Sequence, residues 1–385
     1  MSHKRRGHDG DPNQRAGGGD KRQSRRRKHL YLVLDDWDKG FSIHKIDADT
    51  FDSYHRYQSD VAAAAAEHHL PEPPALRLEP PAALQPYPHT DMSFAALGAK
   101  LFAFANHRCG LVYDAGTAVL SIGAHAPAHM LCGGSGFSVA AGDDALYVLT
   151  YRYFDRQHPH SFHAMSWAPT APDARQQPTE GWSWNTLPPP PFTSHVHSYA
   201  LHPDGRTIFV TSSSVSNDTA PGSHMVTYSF DTMDSTWKFH GKWALPFDGQ
   251  GHYDSELDAW VGIHRDGSVC SCQPVSPSFQ STAPCFYVDC KMTKLDDRMV
   301  SQRRMRASLA CMGAGKFCLV ECVAANNVEK RQPIYGAHDG CVIHLTVFGL
   351  KYNHKGELQV KDHRSRGSFR VSRHRYHFGP ELFWM

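Results

Sequence analysis

A few groups of residues have the types and spacing to do chemistry, and each has a plainer structural reading beside it. His195-Val196-His197 puts two imidazoles two residues apart, a spacing at which a strand presents both on one side and a metal ion can be held; His68, His69, His374 and His377 add candidates. With 27 His in the chain, chance pairs are expected, and no Cys or carboxylate partner stands close by. Asp254, Glu256 and Asp258 alternate in the same way, so on a strand they would share a face as paired carboxylates for acid–base work. Their structural reading is as caps of a turn between strands. Trp182, Trp184, Trp237, Trp243 and Trp260 suit either a ligand-stacking surface or the core between repeated units. The ten cysteines lack zinc-ribbon spacing and include no Cys-x-x-Cys, which reads as reduced thiols packed as small hydrophobes. No Gly-rich phosphate loop, nucleophile elbow or metalloprotease signature occurs. No catalytic residue, cofactor-binding residue or metal ligand is therefore assigned.

One basic run stands out. Lys21, Arg22, Arg25, Arg26, Arg27 and Lys28 have the composition of a nuclear-targeting or nucleic-acid-contacting segment, or of a solvated arm that keeps the chain soluble. Residues 1–28 carry ten Lys/Arg against three Asp, net +7, whereas the rest carries 30 against 35, net −5. Attraction for phosphate backbones is thus expected from the tail and not from the body, as a weak nucleic-acid contact at most. No stretch approaches the roughly 18 consecutive apolar residues of a membrane span, and no apolar leader follows Met1. The expected location is nuclear or cytoplasmic.

The elements that must position these residues are short strands. Residues 1–28 hold too little apolar surface to offset the entropy of ordering and read as a disordered tail. Order is expected from His29, where Leu30-Tyr31-Leu32-Val33-Leu34 is an apolar run of strand length, followed by a turn at Gly40 and period-two alternation through Phe41 to Ile46. Ala62 to Ala66 is the one helix-forming patch, stopped before Pro71. Elsewhere 25 Pro and 30 Gly punctuate short apolar runs, so the fold class is mainly β.

Laid over one another, these runs repeat. Apolar strand, Gly turn and apolar strand recur around Gly98, Gly142, Gly205 and Gly313, at spacings of 44, 63 and 108 residues, the last covering two units. These sit near the roughly 40–50-residue period of propeller blades. Units that cannot cover both of their faces must stack around an axis, which predicts a six-bladed all-β propeller with blades starting near residues 29, 94, 137, 197, 252 and 305. In the blade shared by the chain ends, the strands at 30–34 and 41–46 are expected beside a terminal strand such as Phe369-Arg370-Val371. The domain plan is a tail over 1–28, the propeller over 29–375 and a C-terminal extension over 376–385. A pair of β-sandwiches is the alternative architecture.

Tyr228-Ser229-Phe230-Asp231 followed by Trp237 resembles a degenerate kelch-type blade, without a consistent Gly-Gly pair. A broader resemblance is carried by Leu30 to Trp37 with Gly40, by Ser198-Tyr199-Ala200-Leu201-His202-Pro203-Asp204-Gly205, and by His252-Tyr253-Asp254-Ser255-Glu256-Leu257-Asp258-Ala259-Trp260. On these stretches the chain is similar to a family of uncharacterised plant proteins, abundant in grasses and known as a domain of unknown function. The resemblance spans most of residues 29–375 and implies a plant origin; it implies no catalytic residue. The functional expectation is a monomeric, non-enzymatic interaction module that binds a protein partner, with no cofactor. Two alternatives stay open: an enzyme with a site at the mouth of the central channel, and a nuclear, nucleic-acid-associated protein acting through the tail.

Overall fold

The computed structural model of the chain describes residues 27–35, 40–48, 70–79, 92–104, 109–127, 135–142, 144–151, 160–169, 180–213, 225–281, 286–295, 304–324, 341–371 and 380–385. The basic run up to Arg26, the Ala62–Ala66 patch, His68, His69, His374 and His377 lie outside the described residues. The regular elements among the described residues are strands.

In chain order they are β1 (Leu30–Asp35), β2 (Phe41–Ile46), β3 (Leu76–Leu78), β4 (Ser93–Leu97), β5 (Lys100–Phe104), β6 (Cys109–Asp114) and β7 (Val119–His125). Next come β8 (Ser135–Ala141), β9 (Ala145–Thr150), β10 (Ser161–Pro169), β11 (Glu180–Thr186), β12 (Val196–Leu201), β13 (Thr207–Ser213), β14 (Met225–Asp231) and β15 (Thr236–Gly241). The chain continues through β16 (Trp243–Ala244), β17 (Asp248–Asp254), β18 (Ala259–Ile263), β19 (Val269–Cys272), β20 (Phe286–Tyr287) and β21 (Cys290–Thr293). It ends with β22 (Arg304–Gly313), β23 (Lys316–Ala324), β24 (Cys341–Tyr352), β25 (Leu358–Val371) and β26 (Glu381–Trp384).

Successive strands pair antiparallel, giving four-strand units at β4 to β7, β8 to β11, β12 to β15 and β22 to β25, and a fifth from β17, β18, β19 and β21. The parallel pairing of Ser198–Ala200 with Gly249–Gly251 merges two of these units into one eight-stranded sheet, and β16 and β20 form a separate two-strand pair. The sixth unit joins the chain ends in the order β26, β1, β2, β3, with Leu30 opposite Trp384 and Val33 opposite Glu381. Here the strand expected beside β1 differs. Phe369–Val371 ends β25 and pairs with β24, while β1 takes residues 381–384, inside the segment read as an extension. Four residues are too few for periodicity to announce a strand whose partner lies at the other end of the chain.

The core follows from period-two alternation on the strands buried on both faces. On β1, Leu30, Leu32 and Leu34 pack with Val320 and Ile343, while Tyr31 and Val33 pack with Phe94 and Leu101. On β5, Leu101 and Ala103 face that second cluster, and Phe102 and Phe104 turn to Leu146 and Val148. On β9, Tyr147 and Leu149 turn the other way to Ile208 and Val210. Phe209 then packs with Trp260, and Ala259 and Val261 pack with Phe317 and Leu319. Cys318, Val320 and Cys322 on β23 lie back in the cluster of Leu30. Every four-strand unit thus shares one cluster with each of two others. Each fully buried Leu or Phe contributes ~1.5–3 kcal/mol, so the hydrophobic part of the stability lies largely between neighbouring units.

Turns fix the register. Asp114, Asp231 and Asp254 each end a strand and accept, through Oδ1, backbone N–H groups two and three residues on. The residue before the next strand then has positive φ: Ala118 at 56°, Ser235 at 51° and Asp258 at 46°. At Gly142 (φ 62°) and Gly205 (φ 74°) the first strand turns into the second, and Gly142 N–H donates to the Gly205 carbonyl at 2.7 Å, tying together the turns of two units.

Candidate functional site

The leading strands of the units, β4, β8, β12, β17, β22 and β26, lie side by side in that order. They carry polar side chains from separate units. Tyr199 on β12 has its ring stacked on Phe137 at 4.7 Å, and its hydroxyl donates to Gln250 Oε1 on β17 at 3.5 Å, the far limit of a hydrogen bond. Burial, then the carboxyl of Glu381, then Tyr151 push the Tyr199 phenol well above its usual range. Glu381 opens β26, in a unit that shares no core cluster with that of Tyr199, yet its carboxyl acts on the phenol.

Glu381 is partly accessible yet surrounded by protein, and desolvation pushes its carboxyl up to about 8. Among the described residues no cation pairs with it. The leading strands thus present a carboxyl that holds its proton more tightly than usual, a phenol and an amide. These are hydrogen-bonding groups with spare capacity.

Also on β12, His197 Nε2 lies 2.6 Å from Ser213 Oγ, and burial first, then Arg265, lower its pKa while Asp248 opposes them. Arg265 in turn sits 3.5 Å from Asp248. His195 precedes β12, 4.8 Å from the Tyr151 ring, and the β-bulge between Val196 and Ser198 breaks the alternation that would have put the two imidazoles on one face. No group of three metal-ligating side chains forms among the described residues.

The carboxylates of 254–258 do not share a strand face, because β17 ends at Asp254. Buried Asp254 caps the turn through Oδ1 and accepts the Gly315 N–H of the next unit through Oδ2 at 2.9 Å. Glu256 lies 3.7 Å from Lys361 Nζ, and Asp258 accepts the Tyr253 hydroxyl at 2.7 Å. The tryptophans fill core. Trp243 and Trp260 are buried, with the Trp260 indole N–H donating to the Leu201 carbonyl at 2.7 Å; Trp182 and Trp184 pack edge-on against Phe102 and Phe104 of the neighbouring unit. Burial pushes the Cys270 thiol up to about 12 and those of Cys272 and Cys318 higher still, which leaves them poor nucleophiles. Of the basic run, Arg27 and Lys28 are exposed, and Arg27 pairs with Asp47 at 3.1 Å.

Over residues 27–369 the sequence matches DUF1668, described as a protein of unknown function. The chain belongs to that family. No curated protein matches it in sequence. Solved structures similar to this DUF1668 chain include the periplasmic gluconolactonase PpgL of Pseudomonas aeruginosa, at 11% identity and TM-score 0.39, over 92% of this chain and 99% of the other. The Kuenenia stuttgartiensis hydrazine synthase follows at 14% identity and TM-score 0.32, over 70% of this chain and 64% of the other, so the match spans less than two thirds of that enzyme chain. The PQQ-bound aldose sugar dehydrogenase of Streptomyces coelicolor gives 11% identity and TM-score 0.30, over 67% and 99%. The DUF1668 match ends before Glu381.

Sequence reading missed Tyr199, Gln250 and Glu381. Tyr199 lies inside the clearest repeat, and Gln250 sits between Gly249 and Gly251. Nothing local marks them, because what unites them is the order of the leading strands.

Proposed function

We propose that the chain is a six-bladed, kelch-like β-propeller that acts as a non-enzymatic interaction module, taking a protein partner at one mouth of its central channel. The architecture rests on the succession of core clusters, in which each unit packs against two others and the sixth, built from both chain ends, packs against the first and the fifth. The observation that carries the function is that Tyr199 and Gln250 approach to 3.5 Å across two leading strands while the Glu381 carboxyl on a third acts on the same phenol. Connections between second and third strands, which include residues 214–224 and 325–340, leave from the end where β12 and β17 begin. Long connections at one end of a rigid scaffold are where propellers vary their partners.

A photo-crosslinking amino acid at Arg265, 58% exposed at that end, compared with one at Met233, 72% exposed at the opposite end, tests the reading in native tissue extract. A protein captured at Arg265 alone, which then binds the purified chain in stoichiometric amount, supports it. Capture at Met233 alone contradicts it.

A second reading has one observation in its favour. A carboxyl held up to about 8 is a general acid suited to neutral pH, so Glu381 would serve an enzyme using this mouth. Turnover abolished by Glu381→Gln, with folding intact, would select this reading.

A further inference from the structure

β7 is the last strand in the order β4, β5, β6, β7, and among the described residues the backbone of 119–124 hydrogen-bonds only to β6. Its other edge therefore offers unpaired N–H and C=O groups. The side chains there are apolar and exposed. Val119, Leu120 and Ile122 are 56%, 44% and 74% exposed, and Leu120 and Ile122 stand opposite Tyr113 and Leu111, which pack in the cluster of Tyr31 and Phe94, so this apolar face runs out to the end of the sheet. The outer strands of the other five units, β3, β11, β15, β21 and β25, each contain a charged residue: Arg77, Glu180, Lys238, Lys291 and Lys361. Charge of this kind keeps a sheet edge from pairing with another chain. From Ala115 to Pro127 there is no Asp, Glu, Lys or Arg.

We infer that this edge pairs with the same edge of a second copy of the chain, making the protein a weak dimer in place of the monomer expected from the sequence. An antiparallel pair of identical strands has a two-fold axis, so a charge near its centre meets itself. Lys238 on β15 or Lys291 on β21 would do so, whereas Val119–Ala124 paired on itself brings no charges together. With the axis at Ser121, Leu120 of each copy stands opposite Ile122 of the other, on the face continuous with the core, and Val119 stands opposite Gly123. The free N–H and C=O groups then gain partners. β7 has seven residues, and a strand pair this short buries less than the roughly 1,200 Å² at the low end of specific interfaces, so association depends on concentration. One such edge per chain stops the assembly at two. The channel mouth takes no part, so the pairing stands or falls apart from the partner site proposed above.

Sedimentation equilibrium of the full chain, over a roughly hundredfold range of concentration up to about 200 μM, tests the pairing. The weight-average mass should climb from one chain towards two, and Ile122→Lys, which puts a charge on the exposed edge, should hold it at one. Met233→Lys is the control, because Met233 is 72% exposed on a turn of another unit and its replacement should leave association as in wild type. A wild-type mass that stays at one chain or climbs past two overturns the inference, as does undiminished association of Ile122→Lys or its loss in Met233→Lys. Amide hydrogen exchange on the wild-type chain decides without any variant. The amides of 119–124 that do not bond to β6 should exchange more slowly at high concentration than at low. Protection absent at both concentrations overturns the pairing, and so does protection equal at both, which would mean that another part of the same chain covers the edge.

Discussion

The carboxyl of Glu381 on β26 acts on the phenol of Tyr199 on β12 although their four-strand units share no core cluster. The carboxyl raises the phenol further above a value already lifted by burial, and is itself pushed up to about 8 by desolvation. An acidic group placed there costs stability, which a well-packed chain tolerates most readily at a site used for binding.

That cost has a measurable sign. The unfolded carboxyl ionises near its usual value of about 4.3, whereas the folded one keeps its proton to about 8. The contribution of Glu381 is therefore fully present below the unfolded value and lost as pH rises through the folded one. Glu381→Gln does not titrate, so in urea unfolding its stability relative to wild type should improve steadily from pH 5 to pH 8, about the window between the two values. A constant difference across that window would show that the carboxyl is not desolvated.

Asp254 acts as a clamp between units. Its Oδ1 caps the turn at Glu256 and Leu257, and its Oδ2 holds Gly315 of the next unit. Asp254→Ala should cost ~2–4 kcal/mol in denaturant unfolding because it leaves buried N–H groups unpaired, while Asp254→Asn, which retains one acceptor oxygen, should cost less. Equal losses would mean that the acceptor oxygen kept in Asp254→Asn contributes nothing.

Phe247 is wedged between two glycines. A Cβ on Gly251 would lie 2.2 Å from the Phe247 ring and one on Gly262 would lie 2.6 Å from it. Gly251→Ala should destabilise by ~1–3 kcal/mol through overpacking. Combining it with Phe247→Leu should recover part of the loss, which thermal unfolding of the three variants would reveal.

Much of the fold was legible and the site was not. Paired strands on either side of Gly98, Gly142 and Gly205 stand where apolar runs and turn residues put them, since those signals act over a few residues. Leu30 to Leu34 read as a strand because the run is apolar and of strand length, and the structure covers both of its faces. Long-range relations carried no such signal, since the register of Leu30 with Trp384 and the action of Glu381 on Tyr199 depend on the order of units, and the bulge at His197 leaves no mark in the apolar pattern either. Asp254, Glu256 and Asp258 had the alternation of a strand face, but the strength of Asp as a turn cap outweighed it.

Nuclear targeting by the basic tail is tested by changing Lys21, Arg22, Arg25 and Arg26 to Ala, keeping Arg27 for its exposed pair with Asp47. A fluorescent fusion should move from the nucleus towards the cytoplasm, and salt-sensitive binding to DNA or RNA should disappear. Retention in the nucleus would reduce the tail to a solubilising arm.

The central claim is that both chain ends build one blade and so close a ring of six. Removing residues 380–385 deletes β26 and the Met385 contact while leaving every other strand intact. If the ring is closed by this strand, the edge of β1 and the clusters on both its faces are exposed together, and the whole domain should unfold in one transition at a clearly lower Tm. An unchanged Tm after the deletion would contradict the closed ring.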